Sequence, residues 1–166
     1  MSLRFCANLN FMFQESSSLL ERYSLAKKAG FSAVECATPY DHRLDEILAA
    51  KEKAGVEQVL INSANWDGVL GYAAVPGKET EFTKSMDLTV KYAKALNCKR
   101  VHVMSGKVPH PSNDNHNIYL KNLKYAATLF EREEKQGYAE WIGLEYKPSK
   151  GTEEGLGWLK KLGYNF

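Results

Sequence analysis

Four times along this chain a lysine is followed two residues later by a glycine and then by an apolar or aromatic residue. The four joints are Lys28-Ala29-Gly30-Phe31, Lys53-Ala54-Gly55-Val56, Lys135-Gln136-Gly137-Tyr138 and Lys161-Leu162-Gly163-Tyr164. Glycine enters the left-handed conformation that ends a helix without the steric cost other residues bear. Each joint therefore reads as the end of a helix and the start of a strand. Strand followed by helix, over and over, demands parallel strands joined by right-handed crossovers. The fold class is α/β, with about five parallel βα units.

The residues between the joints fill in those units. Arg4–Phe13 reads as the first strand, with Asn8 and Asn10 near its end. Ser18-x-x-Glu21 is a capping-box pattern opening a helix on Leu19, Leu20, Tyr23 and Ala26. Phe31–Ala37 is the second strand, and Asp41 reads as the cap of a helix carrying Leu44, Ile47, Leu48 and Ala54. Val56–Asn62 is the third, whose continuous Val59-Leu60-Ile61 run suits a parallel strand covered on both faces. A loop with Gly68, Gly71, Pro76 and Gly77 leads to a helix with the stripe Phe82, Met86, Val90, Ala93 and Leu96. Arg100–Gly106 is the fourth strand and His110–Asn117 a polar loop. A helix on Tyr119, Leu123, Ala126, Ala127 and Phe130 follows. Trp141–Tyr146 is the fifth strand, and Thr152–Leu162 the last helix.

Composition narrows the function classes. The 166 residues form one domain, with 44% apolar and 25% charged side chains. Lys and Arg number 22 against 20 Asp and Glu, a net charge of +2, so neither nucleic acid nor a membrane surface is expected as a partner. No apolar run reaches the roughly 18 residues of a bilayer span, and Met1–Phe5 lacks the pattern of a secretory signal. Cys6, Cys36 and Cys98 are an odd number with no C-x-x-C or zinc spacing; they read as reduced, mostly buried thiols of a cytoplasmic protein. Pro76-Gly77-Lys78-Glu79 lacks the rest of a phosphate loop, and no G-x-G-x-x-G follows the first strand, so no nucleotide cofactor is expected.

What remains is a row of polar residues at the C-terminal ends of the strands, where parallel α/β folds build their sites. The row holds Asn8 and Asn10, Glu35 with the loop residues Asp41 and His42, Asn62, His102, and Glu145 with Lys147. His102 alternates with Val101 and Val103, so it faces away from them, either as a hydrogen-bonded sheet residue or into a pocket. Glu145 stands in a strand otherwise made of residues suited to burial. A carboxylate there has to be paired, metal-bound or protonated.

These residues also carry a resemblance. The stretches Leu3-Arg4-Phe5-Cys6-Ala7-Asn8-Leu9, Ala33-Val34-Glu35, Leu60-Ile61-Asn62 and Ala74-Val75-Pro76-Gly77 resemble the hydroxypyruvate isomerases. So do Tyr92–Cys98, Arg100–Gly106, Ile142–Pro148 and Gly155–Leu159. Residues 1–134 resemble the first four βα units of that family's xylose isomerase-like (βα)8 TIM barrel, and 137–166 resemble its last unit. The resemblance implies isomerisation of a small hydroxy-keto acid, hydroxypyruvate to 2-hydroxy-3-oxopropanoate, through an enediol. It implies Glu145 as an acid/base and metal-binding residue and Mg²⁺ or Mn²⁺ as cofactor, while Asn8, Asn62, His102 and Lys147 are the substrate-binding candidates by their strand-end places.

The family pattern is broken in one place. A strand ending in Glu-Pro-Ile-Asn, which carries the family's other catalytic glutamate, has no counterpart here. Roughly three units of a barrel of ~250 residues are missing between about Glu133 and Gln136. An incomplete barrel is therefore expected, with exposed edges and an apolar inner face through which the chain self-associates. A non-catalytic partner role and a related sugar isomerase or epimerase activity are the alternatives.

Overall fold

The computed structural model describes residues 5–66 and 68–134, together with the backbone of a two-residue strand at 142–143. The five strands are β1 (Ala7–Asn8), β2 (Ala33–Cys36), β3 (Glu57–Asn62), β4 (Val101–His102) and β5 (Ile142–Gly143). They pair in sequence order, every pair parallel. Between them run α1 (Leu19–Lys28), α2 (Leu44–Ala54), α3 (Glu79–Ala95) and α4 (Asn113–Glu134). This is the expected order of units, and among the described residues the sheet stays open instead of closing on itself.

The joints behave as their glycines require. Gly55 caps α2 at φ +63°, its N–H donating to the carbonyls of Lys51 and Glu52, each at 3.0 Å. Gly30, just beyond the end of α1, has φ +96°. The corresponding joints at Gly137 and Gly163, the helix over 152–162, and both Glu145 and Lys147 lie outside the described residues.

The core fills the space between the strands and the helices. Ala7, Val34, Cys36, Ile61, Val101 and Val103 are buried from the strand side, meeting Tyr23, Ile47, Phe82, Met86 and Leu96 from the helices. Tyr23 in α1 donates its buried hydroxyl to Gln58 Oε1 at 2.7 Å, so the amide on β3 is not a buried orphan. Between β2 and β3 the register slips after Val34, whose partner is Gln58, so that Glu35 pairs with Leu60. Val59 is the extra residue, and this bulge lets Gln58 and Ile61 both be buried although they are three apart.

Several local expectations change. The first strand is far shorter than Arg4–Phe13, because Asn8 ends it: its Oδ1 accepts from the Asn10 N–H at 2.9 Å, and the chain turns. Asp41 does not cap α2; it closes the short 3-10 turn Pro39–Asp41, and Arg43 occupies the N-cap. Half of the Ser18/Glu21 box forms: Ser18 Oγ accepts from the Glu21 N–H, while the Glu21 carboxylate turns to Ser16 Oγ at 2.7 Å. Helix α4 begins at Asn113, inside the expected loop, after Asn115 Oδ1 accepts from Ser112 N–H and Oγ at 2.8 and 2.9 Å. Cys36 and Cys98 are buried, but Cys6, just before β1, is exposed. Among the described residues no helix is long and apolar enough to cross a membrane.

Candidate functional site

On each of β1 to β4 a residue facing away from the helices near the C-terminal end is polar and only partly buried. The face so formed carries Asn8 on β1, Glu35 on β2, Asn62 on β3 and His102 on β4. Period-two alternation puts them there: Ala7, Cys36, Ile61 and Val101, their chain neighbours, are all buried. Register then brings them together in pairs, because Asn8 is directly opposite Glu35 and Asn62 directly opposite His102.

The first pair is held by a donated amide. Asn8 Nδ2 gives a hydrogen bond to Glu35 Oε1 at 2.7 Å. Asn10 supports it from the turn, its Oδ1 accepting from the Ala37 N–H at 2.6 Å. The Cys6 thiol is raised above its ordinary pKa, first by desolvation and then by the charge of Glu35.

In the second pair the amide accepts. Asn62 Oδ1 lies 3.2 Å from His102 Nδ1, while Asn62 Nδ2 points to the thioether of Met104 at 3.4 Å. Asn65 Nδ2 meets the same sulfur at 3.4 Å. The Tyr40 hydroxyl donates to the Asn62 carbonyl, and Tyr40 packs edge-on against Tyr92 with ring centroids 5.0 Å apart. Burial pushes the Tyr40 phenol far above its ordinary pKa, so it stays a neutral donor.

The wall beside this second pair is the loop after β3. A loop this well packed has to satisfy its backbone groups from the neighbouring helices. Thr89 Oγ1 takes the Ala64 N–H at 2.8 Å, and Ser85 Oγ donates to the Ala64 carbonyl. From α4, Asn115 Nδ2 and Asn122 Nδ2 donate to the carbonyls of Ala74 and Ala73 at 3.0 and 2.9 Å. The buried polar side chains of α3 and α4 thus serve the loop, and the loop in turn grips the end of β4. Ala73 N–H donates to the Met104 carbonyl at 3.3 Å, and Gly71, at φ +99°, presses on the same residue. A Cβ at Gly71 would lie 2.3 Å from the Met104 oxygen, so only glycine fits.

Of the sequence-expected site residues, Asn8, Asn62 and His102 share this face, whereas Asp41 and His42 lie at the 3-10 turn after β2. His42 gives its carbonyl to the Tyr92 hydroxyl at 2.8 Å. Met104, Asn65 and Tyr40 belong to the site but carried no signal in the sequence, because their roles depend on contacts across strands. Among the described residues no three His, Cys, Asp or Glu side chains converge, and Glu145, the residue expected to hold Mg²⁺ or Mn²⁺, lies outside them. No step below is routed through a metal ion.

The model of the xylose isomerase-like TIM barrel family matches residues 23–135. The chain is 44% identical to the "Putative hydroxypyruvate isomerase" of Danio rerio over 149 residues, covering 84% of this chain and 54% of that protein. It is 37% identical to the 2-oxo-tetronate isomerase of Cupriavidus necator over 254 positions, covering 95% of this chain and 97% of that protein. In structure it resembles an AP endonuclease, family 2, from Brucella melitensis at a TM-score of 0.83 and 32% identity, covering 97% of this chain and 65% of the other. The chain thus spans about half the length of the Danio relative. The Cupriavidus alignment runs over 254 positions although this chain has 166 residues, so a stretch of that relative has no counterpart here.

Proposed function

The chain belongs to the xylose isomerase-like TIM barrel family, and on that footing we propose that it is a hydroxypyruvate isomerase-like aldose–ketose isomerase of small hydroxy-keto acids. The observation that carries the reading is the strand-end row of Asn8, Glu35, Asn62 and His102. Relatives named for hydroxypyruvate and 2-oxo-tetronate isomerisation support the substrate class. A substrate with a carbonyl, a hydroxyl and a carboxylate on three adjacent carbons needs several fixed donors and acceptors at short range. Amide and imidazole groups on neighbouring strands supply them, with Lys147 as a further candidate for the carboxylate.

The reaction moves one proton between adjacent carbons. A base takes a proton from the hydroxymethyl carbon of hydroxypyruvate, the electrons form an enediol, and a proton returns to the neighbouring carbon as the hydroxyl becomes the aldehyde. Glu145 is our candidate for that acid/base group. With a stretch of the family's length absent, one carboxylate stands where the family resemblance implies two. Loss of one acid/base partner commonly costs about 10²–10⁴-fold in rate. The reading therefore includes slow turnover by this chain, in a reducing, cytoplasmic setting that suits the free thiols of Cys36 and Cys98.

The test is product analysis with hydroxypyruvate, 2-oxo-tetronate and a small panel of sugars, with and without Mg²⁺ or Mn²⁺. Slow isomerisation of a hydroxy-keto acid that is lost in Glu145→Gln supports the reading. Turnover at a full-length relative's rate contradicts the weakness of the site, and preference for a sugar favours the related isomerases and epimerases.

A second reading rests on β1, which pairs only with β2 among the described residues. Phe5 and Phe11 beside it are 70% and 81% exposed, and Met12 is partly exposed. We propose that a second copy of the chain covers this edge, since open parallel edges rimmed by apolar groups are rare in proteins that stay monomeric. Light scattering that shows a monomer at every concentration contradicts it.

A further inference from the structure

We infer that Met104 is a positioning residue: its sulfur orients the Asn62 amide and thereby fixes which nitrogen of His102 carries the proton. The binding role of His102 rests on the isomerase reading above; the control of its tautomer does not.

The argument starts from what a thioether can do. Its sulfur has lone pairs and no hydrogen, so it only accepts. Two amide groups converge on Met104 Sδ, Asn62 Nδ2 and Asn65 Nδ2, both at 3.4 Å. With its NH₂ spent on the sulfur, the Asn62 amide presents Oδ1 to His102 Nδ1 at 3.2 Å. Oxygen can only accept there, so Nδ1 must be the protonated nitrogen of the neutral ring and Nε2 the basic one. Turning the amide over would set its oxygen against the sulfur, acceptor to acceptor, and its NH₂ against Nδ1, which selects the opposite tautomer. The sulfur is thus the group that breaks the symmetry between the two amide orientations.

Met104 is held firmly enough for this task. Its N–H donates to Ser63 Oγ at 3.0 Å, its carbonyl accepts from Ala73, and Gly71 packs against it without room for a side chain. The strand bearing His102 is tied to the same turn, because Ser63 N–H donates to the His102 carbonyl at 2.8 Å. Asn62 is fixed in parallel through its own carbonyl and the Tyr40 hydroxyl. Backbone and sulfur therefore keep one geometry, and the sulfur is the part that can be changed without disturbing the rest.

Nitrogen-15 NMR of the imidazole rings reads the tautomer directly. In alkaline buffer, where an imidazole is neutral, the full chain is expected to show His102 as the Nδ1–H form. A predominantly Nε2–H ring in the unaltered protein overturns the inference without any variant. Met104→Leu keeps the volume and removes the acceptor, and the Nε2–H share of His102 is expected to rise several-fold. Combining it with Asn62→Asp places an acceptor opposite Nδ1 regardless of the sulfur, and should restore the Nδ1–H form. A Met104→Leu protein with an unchanged tautomer, or a double variant that fails to recover it, contradicts the inference. Absence of isomerase activity leaves these outcomes untouched, so the two readings fail separately.

Discussion

Two asparagines on this sheet stand opposite an ionisable residue on the next strand, and they are oriented in opposite senses. Asn8 donates to Glu35, because its oxygen is taken by the Asn10 N–H. Asn62 accepts from His102, because its NH₂ is taken by Met104. Sequence and register are alike in the two pairs; the third partner decides the polarity. The surroundings differ as well. The Asn8 pair lies on β1, which among the described residues pairs only with β2 and stands beside exposed Phe5 and Phe11, while the Asn62 pair is walled by a loop that α3 and α4 hold in place. A built-in wall on one side and exposed aromatic residues on the other suggests that the Asn62–His102 end is the rigid half of the site.

The sharpest way to break that contrast is at glycine. Gly71→Ala forces a Cβ into Met104 and strains a positive φ, and should cost about 2–4 kcal/mol in urea unfolding. Gly30→Ala meets nothing within 4 Å, so only its φ of +96° is strained and the loss should be near 1 kcal/mol. Equal losses would show that the loop does not grip β4. Next in size is the support from α4. Asn122→Ala leaves the buried Ala73 carbonyl without its donor and should cost about 1–3 kcal/mol. Asn10→Ala, at the half-exposed turn by β1, should cost about 0.5–1.5 kcal/mol in the same measurement.

A smaller effect appears only in alkali. Burial raises Cys36 to about 12 and Cys98 to about 11. In the folded chain these thiols keep their protons above the pH at which the unfolded chain releases them. Their contribution to stability is thus complete below the ordinary thiol pKa and is lost as pH climbs towards about 11 and 12. Urea midpoints should hold up to about pH 8.5 and fall beyond it. A thiol reagent on the native protein should label exposed Cys6 and spare the two buried thiols until unfolding. Rapid labelling of all three would contradict the packing of the sheet.

The strand-end row was legible in the sequence because alternation is local. Asn62 after Ile61, and His102 between Val101 and Val103, already place those side chains opposite the buried ones. The order of units was legible for the same reason, through the glycines that stop each helix. Asp41 misled because an aspartate before an apolar stripe resembles a cap, whereas Pro39 starts a 3-10 turn that consumes it. The first strand was overestimated because the turn depends on a side-chain oxygen folding back to Asn10. Met104 and Asn65 could not be read at all: a methionine after a valine is ordinary core until the next strand shows what its sulfur faces.

On the proposed function, the strand-end face binds small hydroxy-keto acids, with the Asn62 end as its fixed half. Side-chain amide signals of Asn8, Asn62 and Asn65, followed by NMR while hydroxypyruvate is added to about 10 mM, test it most directly, since KM values rarely exceed about 1 mM. Saturable shifts are expected at Asn62 and Asn65, accompanied by Asn8, with the exposed Asn113 and Asn117 of α4 unmoved. Silent strand-end amides, or shifts confined to α4, would contradict it.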